Sequence, residues 1–281
     1  MWQPAGKSWY DSLQLKGTKR LSHGLTAQAA FTWQKEMDIS AENSYALFGG
    51  ANGAPTFQND VTNYNQNKYL SYQDRPFELV VSATYTTPAW RINKFIGVIT
   101  RDWQLSAVLR YQSGQLLQIP TTNNNLNNQI GRGGNLAERV PGVPVFLHDP
   151  NCHCYDPTTQ LEVNPAAFIQ TPTGQFSSST PYYDDIRAAR FPMENMSLGR
   201  NFRFGHEGRM NLQIRAEFTN IFNRIFIPAP AGTGNVIAPL TTPTTYAPGS
   251  QTLTGGFGFA NTTGGVGQQP RAGTMVARFT F

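Results

Sequence analysis

Apolar and polar residues alternate with a period of two in seven separate segments of the chain, and that alternation predicts β-strands. In Ser8–Arg20, Leu13, Leu15 and Gly17 fall on one side, while Ser12, Gln14, Lys16 and Thr18 fall on the other. A four-residue link, Leu21 to Gly24, leads to Leu25–Glu36, where Leu25, Ala27, Ala29, Phe31 and Trp33 alternate with Thr26, Gln28, Ala30, Thr32 and Gln34. Two long runs around a Gly-containing turn predict a hairpin. The same period recurs in Arg75–Thr86, Trp103–Ser113, Glu194–Phe204, Arg209–Asn220 and Gly273–Phe281.

The connections are unequal in a regular way. Short links, at Leu21–Gly24, through Pro88 and Trp90, and at Gly205–Gly208, alternate with long polar ones at Met37–Asp74, Gly114–Phe191 and beyond Asn220. Outer-membrane barrels have this asymmetry, with short periplasmic turns and longer extracellular loops. Aromatics on the apolar parity fall at two levels. Trp9, Phe31, Trp33, Phe77 and Tyr111 sit at loop-side ends, and Tyr85, Trp103, Phe204, Phe279 and Phe281 sit at turn-side ends. Two such rows match interfacial girdles, because an amphipathic ring is most stable at headgroup depth. Asp11 and Arg200 share the apolar parity, but both lie toward strand ends, where a charge near the interface is tolerated.

Composition sharpens this picture. Hydrophobic residues make up 39% of the chain, charged residues 14% and aromatics 12%, too aromatic and too weakly charged for a disordered chain. The longest apolar patch, Phe95–Ile99, falls far short of the ~18 residues that a spanning helix needs. A membrane crossing by this chain therefore takes the form of strands in a closed barrel, which satisfies its backbone groups between neighbours. The net charge of +5 comes from scattered residues with no clustered basic face, so no nucleic-acid partner is expected. The first residues, Met1 to Pro4, carry no basic region followed by an apolar segment, and the N-terminus of the gene product is expected to lie elsewhere. Single-chain bacterial barrels have an even number of strands, from eight upward, whereas seven are read here. Residues 1–281 are accordingly expected to be the C-terminal part of a larger barrel whose N-terminal portion is absent.

Several stretches, in order, resemble TonB-dependent outer-membrane receptors, especially the Oar-like ones with an N-terminal carboxypeptidase-regulatory-like domain. They are Tyr10 to Thr26, Phe31 to Lys35, Trp103 to Gln115, Arg215 to Asn223, Pro270-Arg271 and Val276 to Phe281. The resemblance implies an all-β, antiparallel, up-and-down transmembrane barrel of about 22 strands, of which about seven are present. It also implies a plug domain, absent here, through which TonB would deliver energy for uptake of a scarce ligand. The terminal aromatics Phe279 and Phe281 resemble the signal by which the barrel-assembly machinery recognises its clients. The expected surroundings are outer-membrane lipid. The alternative reading is a structural or adhesive surface barrel without import.

On the polar parity, Arg110, Arg215, Glu217 and Arg278 are expected to face the lumen, either along a charged ligand pathway or as lumen-filling hydrogen-bond partners. The run His148-Asp149-Pro150-Asn151-Cys152-His153-Cys154 holds metal-ligand residue types, but its spacing matches no structural zinc pattern. The two cysteines point to a polar or locally oxidised loop, and no metal or cofactor is expected. Gly255–Gly258 and Gly264–Gly267 precede neither a helix pattern nor a Lys-Ser/Thr pair and are read as loop glycines. No G-x-S-x-G or H-E-x-x-H constellation occurs, so the chain is not expected to be an enzyme.

Overall fold

The computed structural model describes residues 7–39, 63, 67–88, 94–125, 136–152, 154–204, 210–233, 236–262 and 270–281. Seven long strands carry the architecture: β1 (Lys7–Ser22), β2 (Leu25–Ile39), β3 (Phe77–Thr86), β4 (Trp103–Gln112), β5 (Met193–Phe204), β6 (Met210–Thr219) and β7 (Ala272–Thr280). Each pairs antiparallel with the next in sequence, so the sheet is an up-and-down wall running from β1 to β7. A three-residue strand, Lys68–Leu70, extends it at the loop-side end of β2.

Register turns the seven separate alternations into two continuous faces. Leu13 lies opposite Trp33, Trp33 opposite Phe77, Phe31 opposite Leu79, and Leu79 opposite Tyr111. Further along, Leu105 opposes Leu198, Leu198 opposes Ala216, and Leu212 opposes Phe279. A slip of one residue at any pairing would send an apolar set to the polar side, so the shared parity specifies the register. This apolar face is exposed rather than covered. Trp33 retains 62% of its accessible surface and Met275 78%, which is the condition of residues that meet lipid instead of a protein core.

Arg200, despite its lipid-side parity, is accommodated at the turn-side end. Its guanidinium lies 5.5 Å from the Trp103 ring centre and 4.9 Å from that of Phe202, and it donates to the Val98 carbonyl. Asp11 lies directly opposite Lys35.

The link between β1 and β2 is tighter than the sequence suggests. The strands run to Ser22 and from Leu25, leaving a two-residue turn, His23-Gly24, with φ of 51° and 81°. Positive φ at both positions gives the turn type whose twist matches that of paired strands. Gly24 is also needed sterically, because a Cβ there would sit 2.1 Å from the Thr86 carbonyl oxygen. The link between β3 and β4 contains a short helix, α1 (Lys94–Thr100), that strand periodicity does not reveal. Trp90, within that link, and Gly205–Gly208, between β5 and β6, lie outside the described residues. No helix among the described residues is long and apolar enough to cross a membrane.

The largest departure from the sequence reading concerns the long loops. Gly114–Phe191 and the segment after β6 build a folded cap with its own apolar core: Leu117, Ile119, Leu136, Val163, Ile186 and Ile237 are fully buried. A four-stranded sheet organises it, in the order Ala231–Thr233, Val236–Ile237, Leu116–Gln118, Tyr182–Arg187, with a parallel pairing between the middle two. Each such Leu or Ile contributes about 1.5–3 kcal/mol on burial, so this region carries the chain's conventional hydrophobic core.

Candidate functional site: a charged wall beneath a folded cap

The wall's polar face gathers the four residues picked out from the sequence. The Arg110 Nε donates to Glu78 Oε1 at 2.8 Å across the β3–β4 pairing. Arg215 and Glu217, two apart on β6 and therefore on one face, form an ion pair at 2.5 Å. Arg278 on β7 lies opposite Gln213, diagonal to Arg215, and among the described residues it pairs with no carboxylate. Both ion pairs are roughly 40% exposed, where such contacts contribute about 0–1 kcal/mol. Their energetic share in holding the wall is therefore small. What they provide is charge on the polar face of the wall.

A buried clasp joins the wall to the cap. Asp74 is almost fully enclosed, and Arg187 binds it twice, through Nη2 to Oδ2 at 2.6 Å and Nη1 to the main-chain oxygen at 2.8 Å. The second carboxylate oxygen, Oδ1, accepts from the Glu36 amide at the top of β2 at 2.8 Å. One arginine thus ties the cap to the wall. Nearby, burial lowers the Arg75 pKa below the usual arginine range, and the like charge of Arg110 adds to this while Glu78 opposes it. Arg75, Arg110 and Arg187 therefore lie near one another at the junction between wall and cap.

A second polar group lies on the opposite, lipid-side parity. Glu194, paired in register with Leu109, is fully buried. It accepts from the Tyr111 hydroxyl at 3.0 Å and from Arg224 Nε at 2.7 Å. Sequence reading did not single out this trio. The available signal was a glutamate in an apolar series one residue inside a strand end, which demands a partner.

Around His148 the chain is locally cross-linked. Cys152 and Cys154 are joined in a disulfide, so neither offers a thiolate, and the His148 ring stacks on Tyr155 with centres 4.7 Å apart. His153 lies outside the described residues. Among the described residues no group of His, Cys, Asp and Glu is arranged to hold a metal ion. Of the glycine runs, Gly256 and Gly258 occupy positive-φ positions in cap turns, and Gly264–Gly267 lie outside the described residues. The terminal aromatics sit where the parity puts them. Phe279 is opposite Leu212 on the lipid-side face, and Phe281, its ring centre 6.2 Å from that of Phe279, is almost wholly exposed.

A family model described as an outer membrane beta barrel domain matches residues 1–270. No curated protein and no solved structure matches the chain.

Proposed function

The chain belongs to the outer membrane beta barrel domain family and lies in the outer membrane, and on that premise we propose that it is part of a ligand-importing barrel. In this reading the wall is one section of a larger TonB-dependent receptor, the cap captures a scarce ligand, and the charged lining passes it inward. The observation that carries the proposal is a single polar face that bears Arg278, Arg215 and Glu217 toward the turn side and Arg110 and Glu78 toward the loop side, below the Arg75 and Arg187 junction with a folded cap. Weak, exposed ion pairs are poor stabilisers but good exchange partners for a moving ligand. The arginine surplus favours ligands bearing carboxylate or phosphate groups.

Among the described residues the outer edges of β1 and β7 pair with no further strand. Unpaired backbone is costly in hydrocarbon. Additional staves and a plug domain, supplied by the rest of such a receptor, would close the wall and couple it to TonB. The exposed Phe279 and Phe281 are, in the same reading, the handle by which the assembly machinery threads the wall into lipid. No chemical transformation of the ligand is part of this function.

The test uses the complete gene product in the outer membrane of its host, with uptake measured for ferric siderophore, cobalamin and anionic oligosaccharide. Import of one of them that stops when TonB is deleted is the expected result. If deletion of TonB leaves all uptake unchanged while loss of the barrel impairs surface attachment, the reading gives way to an adhesive surface barrel. The cap's self-contained core would serve that role equally well.

A further inference from the structure

At the loop-side aromatic row, the wall opens into a cleft of about 660 Å³. Its floor is Phe77 and Tyr111, both on the apolar parity, and its sides are cap segments carrying Arg190, Arg224 and Ile225. The lining includes two arginines and no carboxylate. Of its strand residues, Phe77 and Tyr111 belong to the face that meets lipid, and Gln112, the last residue of β4, belongs to the other.

Its depth follows from register. Phe77 lies opposite Trp33, and the Phe77 and Phe31 rings meet edge to face with centres 5.5 Å apart, so the cleft opens at the level of the loop-side aromatic row. That row marks headgroup depth, and long loops mark the outer side of the membrane. The cleft therefore faces the headgroups of the outer leaflet.

The arginines are set up differently. Arg224 is held in place: Asn220, itself buried with φ 48°, accepts from its amide at 2.8 Å and donates to its carbonyl at 3.1 Å. Glu194 accepts a hydrogen bond from the Arg224 Nε, yet about half of the arginine side chain stays exposed. Arg190 is exposed, and among the described residues no acid pairs with its side chain. Beside them, Phe222 and Ile225 remain 59% and 71% exposed, and the Arg224 guanidinium lies 5.8 Å from the Phe222 ring centre. Exposed apolar side chains flanking guanidinium forks match an amphiphile whose anionic group and hydrocarbon adjoin each other. Arginine forks suit phosphate in particular, through paired charge-assisted hydrogen bonds.

We infer that this cleft is a binding site for a phosphorylated glycolipid of the outer leaflet, with the phosphate between Arg190 and Arg224 and the acyl side against Phe222 and Ile225. The lipid braces the outside of the wall where the cap overhangs it, and it takes no part in the import pathway.

The experiment uses the full-length gene product purified from outer membranes, stripped of bound lipid in detergent. It is titrated with bisphosphorylated lipid A, with the same lipid after dephosphorylation, and with inorganic phosphate. The phosphorylated lipid is expected to bind at least about tenfold more tightly than its dephosphorylated form, and Arg190→Gln is expected to remove about tenfold of that preference. Arg190 is exposed, so the substitution leaves folding intact. Ile225→Ser is expected to weaken both lipids by a similar factor of a few, which reports the apolar half of the site. Equal binding of the two lipids, an unchanged preference in Arg190→Gln, or full displacement of lipid A by inorganic phosphate at matched concentration each overturns the inference. The last outcome identifies a free-anion site instead.

Discussion

Glu162 is buried in the cap with no donor to its Oε2, and it makes a sharp test of the cap as a folded body. Its main-chain groups are engaged: the carbonyl accepts from the Leu147 amide and the amide donates to the Gly258 carbonyl, both at 2.9 Å. Burial pushes the carboxyl pKa from 4.5 to about 7, and the neighbouring Tyr155 phenol pulls it back only in part. In the unfolded cap the group ionises near its ordinary value; in the folded cap it holds its proton until about pH 7. The folded state therefore binds the extra proton, and stability is full below about pH 4.5, falls from there to about pH 7, and levels off above. At about 1.4 kcal/mol per pH unit, that interval corresponds to about 3 kcal/mol. Replacing the group by an uncharged isostere, Glu162→Gln, should flatten the profile and stabilise the cap at pH 8. The measurement is hydrogen exchange at the Leu147 and Glu162 amides, expressed as protection relative to the free-chain rate at each pH. The wild-type protein should lose on the order of a hundredfold in protection between pH 4.5 and pH 8, and the variant should lose little. Wild-type protection that does not change with pH, or a variant with the same slope, would refute the reasoning.

Other positions test other levels of the architecture. Removing one partner of the Arg187–Asp74 clasp, as Arg187→Ala, leaves a buried carboxylate unpaired and should cost about 3–5 kcal/mol; limited proteolysis should then release the cap while the wall stays protected. Gly24→Val should slow or block assembly, because the side chain meets the Thr86 carbonyl at a positive φ; a heat-modifiability gel of the folded and unfolded forms would show it. Ala107 and Ser106 are adjacent on β4 but on opposite faces. Ala107→Arg, near mid-strand on the lipid side, should cost about 2–4 kcal/mol, and Ser106→Arg far less, as measured by urea titration in lipid vesicles.

What the sequence discloses and what it hides divides along physical lines. A strand of ten or more residues repeats its alternation several times, so Leu25 to Trp33 or Met210 to Phe218 declares both its existence and its outward face. Because neighbours share the parity, Arg110, Arg215, Glu217 and Arg278 fall on one face of the wall, the polar one. The cap was illegible for the opposite reason. Its strands are two to six residues long, too short to display a period, and one of them, Leu116–Gln118, lies buried in a run that shows no alternation. Its core is assembled from residues such as Leu136, Ile186 and Ile237, which are far apart in sequence. The Tyr111, Glu194 and Arg224 trio is likewise a product of three-dimensional closure, since its third member comes from a loop beyond β6.

The self-contained core of the cap has an evolutionary corollary. The wall's constraints are translational symmetry and contact with lipid, whereas the cap's are those of a small water-facing protein that meets the wall through a few joints such as Arg187 with Asp74. Substitutions on the crown's outer surface are expected to leave membrane insertion unchanged, because that surface is remote from the strands that meet lipid. Such a partition leaves the crown's outer surface free to change without altering the strands that meet lipid.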